Sequence, residues 1–82
     1  MRIRVLLFAL YRDMADGQSE LELDVRDGSD AGAAIAELRA AHGQLARLPA
    51  RPVIAVNREY ARLDVVLRDG DELALLPPVA GG

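Results

Sequence analysis

Between Arg2 and Leu10 the chain alternates, placing Ile3, Val5, Leu7 and Ala9 on one face and Arg2, Arg4, Leu6, Phe8 and Leu10 on the other. A period of two marks a strand, and both of its faces turn apolar toward its end. Tyr11 to Ala15 reads as a short helical turn closed by Asp16-Gly17. Glu20 to Val25 alternates again, with Leu21, Leu23 and Val25 inward and Glu22 and Asp24 outward, which predicts a hairpin partner for the first strand with one face toward solvent. After the Asp27-Gly28 turn, Ser29 is the expected N-cap, and Asp30 falls in the first helical turn, where the helix dipole favours an acid. A helix follows from about Asp30 to His42. Its core stripe is Ala31, Ala34, Ile35, Leu38 and Ala41, spaced at three and four residues, with Gly43 as the C′ residue. Gly32 sits within the first turn, where a glycine costs less than at mid-helix. Gln44 to Arg51 forms a connector whose Leu45 and Leu48 cap the core. Val53 to Val56 is a short strand, Asn57-Arg58 a turn, and Tyr60 to Leu67 a loop or broken strand. Asp69-Gly70-Asp71 is a tight turn into a last strand, Glu72 to Leu76.

Strand, strand, helix and then several short strands is the order of an α+β domain. One amphipathic helix covers one face of a small sheet, and 82 residues supply nothing to cover the other. The expected architecture is a ubiquitin-like β-grasp, a mixed sheet of about four to five strands packed on one main helix. It occupies residues 1–76, with an extended tail over 77–82. The bare face is informative. On the last strand Leu73 and Leu75 share the core side, leaving Ala74 and Leu76 outward. If that strand neighbours the first, then Leu6, Phe8, Ala74 and Leu76 form an exposed apolar patch, joined by Tyr60. Such patches mark partner surfaces; the alternative is a loop folded over some of these residues.

Composition narrows the chemistry. The chain has 13 acidic and 10 basic residues, a net charge of −3, so no overall field draws it to phosphate backbones or anionic membranes. Neither nucleic acid nor membrane is an expected partner. The longest apolar runs fall far short of the roughly 20 residues a spanning helix needs, and a cytoplasmic protein is the simplest expectation. There is no cysteine, which excludes disulfides, thiolate nucleophiles and cysteine zinc sites. All ten basic residues are arginine, so no lysine amine is available for a Schiff base or for acylation. His42 is the only histidine and threonine is absent, so a serine triad has no base to place and no metal site is expected. Gly28-Ser29-Asp30-Ala31-Gly32 superficially suggests phosphate binding. It lacks the spacing of a phosphate loop and carries an acid where the phosphate would sit, so it reads as a capped turn. Asp69, Asp71 and Glu72 cluster without the further oxygen ligands calcium needs, and read as a solvated turn.

What remains is the ending, Pro77-Pro78-Val79-Ala80-Gly81-Gly82. Two prolines stop the strand and hold the backbone extended; alanine and two glycines then remove side-chain bulk up to the final carboxylate. Six residues project about 20 Å, enough to enter a narrow channel in another protein. A frayed end would have no role. This tail instead follows a core strand directly, a stiff segment before a flexible tip. A Cβ-free end gives an activating enzyme and a later nucleophile unhindered access to the carbonyl. Exchange of an adenylate for sulfide would turn the carboxylate into a thiocarboxylate, making the chain a carried reagent rather than a catalyst.

Leu7-Phe8-Ala9 followed by Tyr11-Arg12-Asp13, then Val56-Asn57, Leu67-Arg68-Asp69-Gly70-Asp71-Glu72 and the Pro-Pro-Val-Ala-Gly-Gly end together resemble the small subunit of molybdopterin synthase, the MoaD family, over essentially the whole chain. Related ubiquitin-like carriers such as the thiamin-pathway ThiS family share the Gly-Gly end but generally lack the double proline. The resemblance implies a β-grasp fold and no bound cofactor. It implies that a MoeB-like enzyme adenylates Gly82, which becomes a 1-thioglycine thiocarboxylate next to Gly81. It further implies that the tail inserts into a MoaE-like large subunit, within a heterotetramer, where the large subunit's catalytic residues pass sulfur to precursor Z, the cyclic pyranopterin monophosphate. Phe8, Arg12, Tyr60 and Leu76 match family positions that meet partner proteins, as do the tail residues Pro77, Pro78, Val79 and Ala80. Tyr60 and Leu76 depart from the family pattern, in which an aliphatic residue and a phenylalanine are common. Two alternatives stay open: a sulfur carrier serving thiamin, cysteine or tRNA thiolation, and a ubiquitin-like interaction module or protein modifier.

Overall fold

Ile3, Val5 and Leu7 are almost fully buried while Arg2 and Arg4 face solvent, so the alternation read along the first strand is an alternation of burial. The computed structural model of the chain describes residues 1–78. Its elements run β1 (Arg2–Leu7), α1 (Ala9–Met14), β2 (Glu20–Asp24), α2 (Ala31–Ala41), a 3-10 helix (Gly43–Arg47), β3 (Val53–Val56), β4 (Glu59–Ala61) and β5 (Glu72–Leu76). The five strands form one sheet in the order β2-β1-β5-β3-β4. β1 and β5 are parallel and central, and every other pair is antiparallel. This is the expected mixed β-grasp sheet. Helix α2 brings Ala31, Ala34, Ile35 and Leu38 into one core with Ile3, Val5, Leu7, Leu21, Leu23, Ile54, Leu73 and Leu75.

The start of α2 is held by its own cap and by the loop that precedes β5. Asp30, not the expected Ser29, is the N-cap: its carboxylate accepts from the Ala33 amide at 2.8 Å. The Ala31 and Gly32 amides donate to the Val65 and Leu63 carbonyls at 2.9 and 2.8 Å. The free donors of a helix start are therefore used internally, which completes the capped-turn reading of Gly28 to Gly32. Serine 29 is spent on the same loop, its carbonyl accepting from the Leu67 amide.

Three sequence expectations shift at element ends. The first strand stops at Leu7 rather than Leu10, because Ala9 takes φ +47° and turns the chain into α1; Ala9 and Leu10 are thus exposed helical residues. Ala41 leaves the core stripe and is exposed, since α2 ends there and His42 is extended at φ −129°. The fully buried Leu45 of the 3-10 helix fills the space beyond Leu38 instead. Gly43 opens that 3-10 helix and is not a left-handed C′ residue; among the described glycines only Gly17, Gly28 and Gly70 have positive φ. The Asn57-Arg58 turn has φ +52° and +71° at its two residues, the two-residue reversal whose twist suits a hairpin. It places the expected broken strand as the three-residue edge strand β4.

Candidate functional site at the root of the tail

β5 ends at Leu76, and Pro77 and Pro78 carry the chain off the sheet. Val79, Ala80, Gly81 and Gly82, expected as the reactive tip, lie outside the described residues. The surface around the exit is set by register. Leu6 pairs with Ala74, Ala74 with Ala55, and Ala55 with Tyr60, so one row of outward residues crosses the sheet from β1 to β4. Leu76 pairs with Val53. Phe8 follows Leu7, whose partner is Leu75, and so stands beside the strand end from which the tail departs. Leu73 and Leu75 face the core, fully buried.

The outward residues divide by size. Ala55 and Ala74 retain only 8% and 9% of their exposure, yet neither belongs to the core cluster under α2. They form the low floor of a saddle on the outer face. Its walls are large and open: Phe8 is 44% exposed, Val53 55% and Tyr60 82%, with Leu6 and Leu76 half-buried. The patch expected from alternation is therefore present, with Ala74 shielded by its larger neighbours rather than exposed. No described loop covers it. Leu10 is exposed, as its place on the outward side of the first segment implied, whereas Val53 was not among the residues expected in the patch. For Val53 the signal was available, because Ile54 is buried and the alternation of β3 puts Val53 and Ala55 outward.

Phe8 occupies an unusual place. It is the N-cap of α1, with φ −123° and ψ 152°, and makes no side-chain cap bond. Asp, Asn and Ser are favoured there by about 1 kcal/mol, and the left-handed Ala9 that follows costs on the order of 1–2 kcal/mol. Local stability is given up where a large aromatic is held out of the core, a pattern typical of contact sites. Arg12 lies one turn further on α1, exposed and without an ion pair among the described residues.

The rest of the outer face is charged. The Arg2 guanidinium bonds Asp24 at 2.8 Å and reaches Glu22 at 3.4 Å, and Arg4 reaches Glu20 at 3.5 Å. The Arg2 hydrogen bond and charge hold the Asp24 carboxyl below its usual range, and the same bond raises Arg2. At the start of β5 the acids expected as a solvated turn are structural. Asp71 accepts from the Arg68 amide at 2.8 Å and from Asn57 Nδ2 at 2.9 Å, Asn57 Oδ1 accepts from the Glu72 amide at 3.0 Å, and Asp69 accepts from the Arg2 amide at 2.8 Å. Much of the motif that carried the resemblance is thus a staple joining the β3–β4 turn to β5. Among the described residues no group of three or more His, Cys, Asp or Glu is placed to hold a metal, and no helix is long and apolar enough to cross a membrane.

The model of the ThiS family matches residues 5–82, from β1 to the last glycine. The chain belongs to the ThiS family. The molybdopterin synthase sulfur carrier subunit of Chlamydomonas reinhardtii is 39% identical, with all of both chains covered. That of Mycobacterium tuberculosis is 37% identical over all of this chain and 99% of its own. The resemblance to the molybdopterin synthase small subunits therefore holds over the full length. Several solved structures share the fold. The small archaeal modifier protein SAMP1 of Haloferax volcanii superposes with TM-score 0.87 at 32% identity, covering all of both chains. The BexX/CysO complex of Amycolatopsis orientalis contains a similar chain, TM-score 0.75 at 27% identity, with 98% of this chain and 99% of that one covered. So does a complex of subunits 1 and 2 of the molybdopterin-converting factor of Helicobacter pylori, TM-score 0.64 at 28% identity with full coverage of both.

Proposed function

We propose that the chain is the sulfur-carrying small subunit of a molybdopterin synthase. The carrying observation is that the Pro-Pro-Val-Ala-Gly-Gly sequence follows directly on a strand end beside an open apolar saddle. The tail begins after Leu76, where Phe8 and Val53 stand exposed beside its root and Tyr60 stands exposed further across the same face. In this reading a MoeB-like enzyme transfers AMP from ATP to the Gly82 carboxylate with release of pyrophosphate, and a sulfur donor displaces AMP to leave the thiocarboxylate. A MoaE-like large subunit seats the saddle through Phe8, Arg12, Tyr60 and Leu76 and takes in Pro77, Pro78, Val79, Ala80, Gly81 and Gly82. The terminal sulfur is then passed to precursor Z. The names of the full-length relatives support the pathway, and the two-subunit complex of the Helicobacter pylori factor supports a large-subunit partner, with which this chain would build a heterotetramer. A carrier of this kind needs no bound cofactor and no acid–base machinery of its own.

Removal of Gly82 tests the reading. Sulfur transfer reconstituted with a large subunit should be lost while the melting temperature stays unchanged, since β5 and the core end before the tail. Transfer by the truncated chain would overturn it. A second reading, a protein modifier, is favoured by the likeness to the archaeal modifier protein. Intact-mass analysis of the protein from its native cells separates the two: a terminal oxygen replaced by sulfur supports the carrier, and amide adducts to other proteins support the modifier.

A further inference from the structure

An acyl group activated for transfer is exposed to any amine that reaches it, including amines on other copies of the same chain. Lysine is wholly absent from the 82 residues, the ten cations being guanidinium groups that do not lose their protons. One amine cannot be removed by exchanging lysine for arginine, the α-amine, and as a class α-amines hold more of the reactive free base at neutral pH than lysine does. Here the Met1 ammonium donates to the Val25 carbonyl at 2.9 Å and to the Asp27 carboxylate at 3.0 Å, and the Met1 side chain is only 6% exposed. Two of its three hydrogens are committed, one to the carbonyl that continues β2 and one to an exposed carboxylate.

Topology adds a second barrier. Arg4 is level with Glu72 and Leu7 with Leu75 in the parallel β1–β5 pair, so Met1 lies at the end where β5 begins, whereas the tail leaves from the other. From Leu7 back to Met1 is about 20 Å at ~3.3 Å per residue. The six tail residues span about the same distance only when fully extended, and they would first have to reverse direction.

We infer that the chain is a donor and a poor acceptor: arginine-only cations leave no side-chain amine for another copy's activated terminus, and the one remaining amine is hydrogen-bonded and lies far from its own tail. This rests on the reading of Gly82 as the activated residue. In the avoided reaction the amine nitrogen attacks the Gly82 carbonyl carbon, the bond to AMP or sulfur breaks with the leaving group taking the electron pair, and the amine proton passes to solvent as an amide forms.

The chain prepared as a Gly82 thioester of a small thiol, held concentrated at mildly alkaline pH, tests this. Products are read by intact mass after alkaline hydroxylamine, which cleaves esters and thioesters and spares amides. The wild-type sequence should give hydrolysed monomer and no amide-linked dimer. A double variant Arg58→Lys, Arg62→Lys should give the dimer, because those side chains are 91% and 90% exposed. In a separate arm, Asp27→Ala should speed acylation of the Met1 amine by a small reagent. A wild-type dimer, a lysine variant without one, or equal labelling of the Met1 amine in both proteins would overturn the inference. Because the thioester is made chemically, those results leave the sulfur-carrier reading untouched, and failure of the Gly82 truncation test leaves these results untouched.

Discussion

Where β5 begins, Asn57, Asp69 and Asp71 spend their side chains on backbone amides and on one another; where it ends, Phe8 and Val53 leave about half of theirs without a partner in the chain. The whole strand is five residues long. The first is polar, locally satisfied and contributes to stability. The second is apolar, has an aromatic N-cap and a left-handed alanine, and lowers stability. A strand whose two ends obey opposite rules indicates that fold and function act on different residues of the same element. Substitutions at one end should move stability alone, and at the other, binding alone.

The largest expected effect is at the exit. Phe8→Asp should weaken binding to a molybdopterin synthase large subunit by on the order of 2 kcal/mol, about thirtyfold in Kd, as for a central aromatic anchor. Stability should hardly change, because the partly exposed ring is exchanged for a residue that suits an N-cap, two changes that offset within about 0.5 kcal/mol. Calorimetric titration with the partner and urea unfolding of the free chain measure both. A large fall in stability with intact binding would place Phe8 in the core and dissolve the contrast between the ends. The reciprocal substitution is Asp71→Ala. It leaves the Arg68 amide and Asn57 Nδ2 without their partner, and since both groups are solvent-accessible the expected cost is about 1 kcal/mol, roughly 4–8 °C in Tm for a domain of this size. Affinity for the large subunit should stay within experimental error; a parallel loss would mean that the staple also positions the saddle.

The legibility of the sequence follows the same division. Strands with one wet face, such as Glu20 to Asp24, announce their register through alternation, because a slip by one residue would bury Glu22. The outward course of Phe8 and Leu76 was legible for that reason. The end of β1 was not. Nothing in Leu7-Phe8-Ala9-Leu10 signals a left-handed alanine, a conformation held by the surrounding fold against local preference. Asp30 in place of Ser29 is a contest between two good caps, decided by the Val65 and Leu63 carbonyls that meet the next two amides, contacts too distant in sequence to be read. The role of Asp71 was hidden likewise, since its partner Asn57 is 14 residues away. Short-range pattern specifies which face a residue takes; the polar network that closes the fold is a product of topology.

The smallest expected effect separates the charged region from the apolar one by pH. Asp24 is held below the ordinary aspartate range by its hydrogen bond to Arg2 and by the Arg2 charge. A carboxyl whose folded value is depressed stabilises the fold above its unfolded value, and that contribution disappears as pH falls through the folded one. Wild-type stability should therefore decline from about pH 4 downward, and Asp24→Asn should decline less, so that a slight disadvantage of the variant at neutral pH vanishes in acid. Both partners are well exposed, so the difference should also shrink in high salt. Urea midpoints of the two proteins across pH and salt provide the measurement, and a constant gap in acid would show that the Arg2–Asp24 pair adds nothing. Hydrogen exchange locates the effect. Acid should loosen the β1–β2 amides near Arg2 and Asp24 before the β3–β5 amides at Val53 and Leu76, the end of that pair away from Asp71 and Glu72, where the side chains carry no proton to gain.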